Sequence, residues 1–152
     1  MERAPDRVLF LADTSLNTDP DARELADIAI ATADLARDFD YEPRVAMLSF
    51  SNFGSVEHPQ ATRVAEAVQL VRKDRPDIVV DGEMHADVAL DRSTGNRLHP
   101  HSLINGDANV LIFPDLASGN IGYKLLEHLA DAEAVGTILT GMRKPVVVSY
   151  QA

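Results

Sequence analysis

Hydroxyls, amides and glycines gather where the apolar runs of this chain end, and that material suits an anionic ligand. The run Leu48-Ser49-Phe50-Ser51-Asn52-Phe53-Gly54-Ser55 leaves an apolar stretch, Val45 to Leu48, and breaks into small polar residues. Free backbone N–H groups and hydroxyls at such a strand end form a concavity for phosphate or carboxylate. Ser51, Asn52 and Ser55 are the candidate contacts there. Ser118-Gly119-Asn120 follows a second apolar run, Asn109 to Phe113. It reads as the opening of a helix, whose N-terminal N–H groups and dipole favour an anion. Gly119 and Asn120 are candidates in it, and Lys124, one turn further, is a candidate cation. Any α/β protein needs turn and capping residues at its strand ends, so each loop alone is ambiguous; the weight lies in their recurrence.

Other chemistries find less support. His99-Pro100-His101 places two imidazoles two residues apart, whereas zinc sites use wider histidine pairs or cysteine clusters, so no metal is assigned. His58 reads as a neighbour of a helix cap and His85 as a loop residue near the site. No glycine-rich dinucleotide fingerprint, Walker loop or nucleophile elbow occurs in the sequence. Cysteine is absent, which excludes disulfides, thiolate metal sites and a cysteine nucleophile.

The elements that must position these loops are legible from periodicity. Val8 to Ala12, Arg44 to Leu48, Ile78 to Val80, Asn109 to Phe113, Thr137 to Thr140 and Val146 to Ser149 read as strands. Asp19 is expected to cap a helix with Pro20 at its first position, and Leu25, Ile28, Ala29, Leu35 and Ala36 form its apolar stripe to about Arg37. Thr32 is the one polar member of that stripe. Pro59 opens a second helix with Val64, Ala67, Val68 and Val71 inward. Asp81-Gly82-Glu83 reads as a turn, Ala86 to Leu90 as a short helix or strand, and Asp91 to Pro100 as a polar loop. A last helix starting near Ser118 carries Ile121, Leu125, Leu126 and Leu129. Strands that are apolar throughout, alternating with helices, predict an α/β three-layer sandwich: a mostly parallel sheet with helices on both faces. Ligands of such sheets bind at the C-terminal strand ends, where the candidate loops lie.

With 152 residues the chain fits one unit with a sizeable core. Its 24 carboxylates against 14 Lys and Arg give a net charge of −10. That argues against nucleic acid and anionic membranes as partners, both of which call for a basic footprint. No apolar run approaches the ~20 residues of a membrane span, and a cytoplasmic location is expected.

In their order along the chain these features resemble the phosphate acetyl/butyryltransferase (phosphotransacetylase) family. The matching residues are Leu11-Ala12-Asp13 with Asn17-Thr18-Asp19-Pro20, then Leu25 to Ala29, then Pro43 to Ser49 with Gly54-Ser55. Asp81-Gly82-Glu83 with Asp87, Ala108 to Leu116, and Gly119 to Lys124 complete the set. The resemblance covers the second lobe of such an enzyme across residues 1–152. It implies that the first lobe, with its substrate-binding arginines, and a C-terminal closing segment lie outside the chain. It also implies a cleft for acetyl phosphate and coenzyme A between lobes, and a homodimer contact through this lobe.

Details resemble one branch more closely. Ser51-Asn52-Phe53-Gly54-Ser55, Ala12-Asp13-Thr14 and Glu83-Met84-His85-Ala86-Asp87 are similar to the C-terminal module of bacterial NADP-dependent malic enzymes. That module senses acetyl-CoA and supports oligomerisation. Active transferases place Ser-Arg-Gly shortly after the Lys144-Pro145-Val146 strand; Tyr150, Gln151 and Ala152 stand there, and Gln151 carries no charge for the developing oxyanion. Two coenzyme A contacts of the family are replaced, an arginine by His128 and a tyrosine by Val135, while Lys124 is kept. The resemblance thus implies an acetyl-CoA or acetyl phosphate site comprising Ser51, Asn52, Ser55, Gly119, Asn120, Lys124, His128, Tyr150 and Gln151. It implies no catalytic residue and no cofactor in this chain; NADP and a divalent metal belong to the parent's other domain. The leading expectation is a regulatory module, inactive alone, of a malate dehydrogenase (oxaloacetate-decarboxylating, NADP). The alternatives are a lobe of an active phosphate acetyltransferase and a dimerisation unit without ligand.

Overall fold

Phe10 and Ala12 face one way and Leu9 and Leu11 the other along strand β1, Leu9–Ala12, and all four are buried. A strand apolar on both faces needs a layer on each side. The computed structural model describes residues 8–13, 17–130, 132–135, 138–141 and 146–148, the last three stretches as strand backbone. After β1 come α1 (Ala22–Asp38), β2 (Arg44–Leu48), α2 (Pro59–Asp74), β3 (Val79–Met84), α3 (Ala86–Leu90) and α4 (Arg92–Leu98). Then follow β4 (Val110–Ile112), α5 (Leu116–Leu129), β5 (Ala132–Val135), β6 (Ile138–Gly141) and β7 (Val146–Val148). The strands form one sheet in the order β3-β2-β4-β1-β7-β6-β5. β3, β2, β4, β1 and β7 run parallel, and β6 is antiparallel to β5 and β7.

Strand parity sorts the core into two halves, as expected for the three-layer sandwich. On one face Phe10, Ala12, Val45, Met47, Val110 and Ile112 meet Leu25, Ile28, Ala29 and Ala33 of α1 and Val64, Val68 and Val71 of α2. On the other, Leu9, Leu11, Ala46, Leu48 and Leu111 meet Val88 and Ala89 of α3, with Tyr123 and Leu126 of α5 packed alongside. Each fully buried large apolar side chain contributes roughly 1.5–3 kcal/mol. Thr32 lies inside the first half, and its hydroxyl donates to the Ile28 carbonyl at 2.7 Å, which removes the cost of a buried polar group.

Several local expectations are corrected. Helix α1 is capped by Asp21, not Asp19: the Asp21 carboxylate accepts from Glu24 N at 2.8 Å and the Glu24 carboxylate from Asp21 N at 3.4 Å, a capping box. Asp19 instead pairs with Arg63 at 2.7 Å. Asp81-Gly82-Glu83 is not a turn but the interior of β3, which starts at Val79 and pairs with β2 across a register shift between Met47 and Leu48. Gly82, at φ 141°, lies opposite Met47, and a Cβ on it would come within 2.6 Å of the Met47 carbonyl oxygen. The stretch taken for a polar loop holds α4, whose cap Asp91 accepts from Ser93 N and Thr94 N. Those bonds hold the Asp91 carboxyl below the usual aspartate range, the Thr94 backbone contributing most. Helix α5 starts at Leu116, two residues before Ser118, because Asp115 caps it through Ser118 N at 2.8 Å. The antiparallel β5 has no counterpart in the expectations.

At the end of the sheet remote from the candidate loops, Arg75 of the α2 C-cap grips both Asp34 oxygens at 2.9 Å and reaches Asp77 at 3.1 Å. Arg37 joins Asp77 at 2.6 Å and Glu42 at 3.0 Å. These pairs tie the C-terminal ends of α1 and α2 together.

Candidate functional site

Parallel pairing brings the C-terminal ends of β1, β2, β3 and β4 to one edge of the sheet, and four loops converge there. After β1, the Asp13 carboxylate accepts from Asn17 N at 2.8 Å and from Asn17 Nδ2 at 2.7 Å, tying Asn17 to the strand end. After β4, Phe113 N donates to Ala12 O at 2.7 Å. Arg63 of α2 bridges Asp19 and, at 3.4 Å, the Pro114 carbonyl, clamping the first loop to the fourth. α5 then leaves this edge, packed on β1 through Gly119.

Between β2, α2, α3 and α5 lies a cavity of about 380 Å³. Leu48, Phe50 and Phe113 form its apolar walls, and Ser49, Gln60, Ser118 and Asp115 supply its polar groups. None of these described lining residues carries a cation. Ser118 and Gln60 sit there because both helices begin there: Asp115 caps α5, and His58 caps α2 by accepting from Gln60 N through Nδ1 at 3.1 Å. His58 is thus the cap itself, not its neighbour, and its ring meets the edge of Phe50 with centroids 5.5 Å apart.

The loop after β2 is wired largely to itself. Ser51 is fully buried, and its hydroxyl accepts from Val56 N at 3.0 Å. Ser55 Oγ accepts from Asn52 N at 2.9 Å and lies 3.4 Å from Ser51 Oγ. Asn52 Oδ1 accepts from His85 N at 2.7 Å. Ser51, Asn52 and Ser55 therefore set the loop's shape, while Ser49 and Phe50 line the cavity. At the tip Phe53 takes φ 48° and Gly54 φ 84°, a turn that favours glycine at the second position. The Phe53 ring packs against His99 at 4.9 Å, beside a second hollow of about 550 Å³ that also touches Arg72 and Leu103. His99 and His101 both line this hollow. Among the described residues no three His, Asp or Glu side chains gather as a metal site.

Along α5 the expected residues separate. Gly119 is buried, donates within the helix to Asp115 O at 3.2 Å, and lies against the Asp13 main chain. Asn120, Lys124 and His128 are all exposed, and their spacing of four places them on one helix face. The Lys124 ammonium lies 4.9 Å from the Tyr123 ring centroid. Tyr150 and Gln151 lie outside the described residues. The fold thus brings Ser118 of α5 to the cavity wall with Ser49 and Phe50, while Asn120, Lys124 and His128 occupy a different, exposed face of the helix. Gln60 was not assigned to the site from sequence, whereas His85 was read as a loop residue near it. Pro59 was the available signal for Gln60, because a proline at the first helical position puts the next residue at the strand-end surface.

The family model for phosphate acetyl/butaryl transferase matches residues 1–151. The chain belongs to the phosphate acetyl/butaryl transferase family. It is 46% identical over 146 residues to the phosphate acetyltransferase of Bacillus subtilis, covering 96% of this chain and 45% of that protein. The phosphate acetyltransferase of Paracoccus denitrificans is 51% identical over 138 residues, with 90% and 43% covered. The NADP-dependent malic enzyme of Escherichia coli is 43% identical over 145 residues, with 95% of this chain but 19% of that protein covered. Among solved structures, EutD phosphotransacetylase from Staphylococcus aureus superimposes with a TM-score of 0.83 at 36% identity, covering 99% of this chain and 46% of that one. A phosphotransacetylase from Streptococcus pyogenes gives 0.83 at 44% identity, covering 97% and 45%. The chain spans less than half the length of these relatives. Among the described residues no helix is long and apolar enough to cross a membrane.

Proposed function

We propose that this family member is the second lobe of a phosphotransacetylase-like module that binds acetyl-CoA as a regulator and does not transfer its acyl group. The observation that carries this reading is Gln151, standing where the resemblance calls for an arginine. Transfer of an acyl group between phosphate and a thiol develops charge that must be met by fixed cations or donors, and a carboxamide supplies no charge. The described lining of the strand-end cavity offers apolar walls, two hydroxyls, an amide and the Asp115 carboxylate. Binding asks for less: an apolar slot for the acyl-thioester end and donors at its rim. The exposed face of α5 that carries Asn120, Lys124 and His128 suits the polar, phosphate-bearing part of the ligand, with Lys124 as its charge partner.

The parent in this reading is an NADP-dependent malic enzyme. The similarity to the Escherichia coli malic enzyme over 95% of this chain supports it. So does the contact between Asn52 and His85, two residues whose resemblance is to that branch. Acetyl-CoA would act by preferring one quaternary state. Ile121, Leu125 and Leu129, 58%, 53% and 81% exposed, form an apolar stripe on α5 suited to self-association.

A second reading, a lobe of an active phosphate acetyltransferase, is favoured by the 51% identity to the Paracoccus denitrificans enzyme. A coupled assay of acetyl-CoA formation from acetyl phosphate and coenzyme A, on the protein as its gene encodes it, separates the two. The regulatory reading predicts no rate above background; robust turnover overturns it in favour of the second.

A further inference from the structure

We propose that His85 is a positioning residue for the acyl-CoA cavity, holding the Ser49-Phe50 wall in place through the Phe50 carbonyl. The inference rests on the reading that the cavity binds acetyl-CoA. The His85 Nε2 atom lies 2.7 Å from Phe50 O. A carbonyl oxygen can only accept, so Nε2 carries the hydrogen and donates. The rest of the loop is tied by main-chain groups and by its own serines. Ser49 N donates to Met84 O at 2.9 Å and Phe53 N to Glu83 O at 2.8 Å. Those bonds fix the ends of the segment and leave Phe50 between them. Phe50 is 49% exposed, and among the described residues its one aromatic partner is His58, so apolar burial alone does not hold it. Among the described residues, the His85 ring is the one side chain from outside the loop that bonds the main chain of the wall itself.

His85 is itself held. It is the N-cap residue of α3, and its backbone N–H donates to Asn52 Oδ1 at 2.7 Å. The same residue therefore anchors the loop at two points, and the loop carries Ser49 and Phe50 into the cavity. Loss of the ring donor would release the Phe50 carbonyl while leaving the fold's buried layers untouched.

The test compares His85→Leu, which removes the donor, with His85→Gln, which keeps an N–H able to reach Phe50 O. Acetyl-CoA is titrated calorimetrically into the protein as its gene encodes it, and hydrogen exchange of residues 49–51 is followed in parallel. His85→Leu is expected to weaken binding about tenfold and to speed exchange at 49–51, with the thermal midpoint within ~2 °C of wild type. His85→Gln is expected to restore both. Equal affinity of wild type and His85→Leu overturns the positioning role. So does a shared loss in both variants accompanied by a fall in the thermal midpoint, which marks a merely structural residue. If wild type itself binds no acetyl-CoA, the cavity reading fails. Exchange then decides the tether alone: faster exchange in His85→Leu but not His85→Gln supports it, and unchanged exchange overturns it.

Discussion

Gly119 of α5 lies so close to Asp13 at the end of β1 that a Cβ on the glycine would overlap the Asp13 carbonyl oxygen. This approach seats the first turn of α5, and with it Ser118, against the end of the central strand. Alanine would gain about 1 kcal/mol of helix propensity but must push backbone aside. Gly119→Ala is predicted to destabilise the protein by about 2 kcal/mol net, seen as a thermal midpoint lower by ~5 °C. An unchanged midpoint would show that α5 does not depend on this contact.

Asp81 is the hub of the β3 edge. Its Oδ1 accepts from Arg72 at 2.9 Å and from Gly82 N at 3.0 Å, and its Oδ2 from Leu103 N at 2.9 Å. Asp81→Asn turns one acceptor into a donor and sets it against one of these groups. A loss of about 2 kcal/mol in urea unfolding is expected, and Asp81→Ala is expected to cost more because it leaves Arg72, Gly82 N and Leu103 N all without a side-chain acceptor.

Acid stability should trace to the far end of the sheet. The Arg75 guanidinium, bonded to Asp34, holds that carboxyl below the ordinary aspartate value despite partial burial, and Arg75 and then Arg37 hold Asp77 well below it. A carboxyl depressed on folding contributes stability that is complete above its unfolded pKa of about 4 and is lost as pH falls through the folded value. Stability is therefore predicted to decline below about pH 4. The decline should be shallower in Arg75→Gln, measured by urea midpoints between pH 2 and 7, and weaker in high salt because the pairs are exposed. Parallel acid limbs for wild type and variant would contradict this.

The Ile121, Leu125 and Leu129 stripe predicts self-association. Leu125→Glu should shift the protein towards smaller species in analytical ultracentrifugation with little change in thermal midpoint, since Leu125 is 53% exposed. Identical sedimentation of both proteins would remove α5 from the interface.

Much of the fold was legible because burial and periodicity agree. The runs around Phe10, Val45 and Val110 are apolar throughout and could belong only to a covered sheet. Asp81-Gly82-Glu83 misled because its composition is that of a turn, and only the partner strand explains a glycine opposite Met47. Helix α4 was hidden because Arg92 to Leu98 carries no apolar stripe; its cap at Asp91 was the readable trace. The loops expected at the strand ends do lie there, and the hydrogen bonds inside them are what the sequence did not show. Ser51, Asn52 and Ser55 look like ligand donors by composition, yet they satisfy one another and His85, and a sequence does not show which hydroxyls a loop consumes in closing on itself. The side-chain bond from His85 to Phe50 joins residues 35 positions apart and has no local signature.

The central claim is tested most directly by calorimetric titration of acetyl-CoA into the protein as its gene encodes it, with Lys124→Ala alongside. The account predicts saturable binding to wild type, weakened about tenfold in the variant by loss of one charge-assisted contact. Absence of saturable binding to wild type would contradict it.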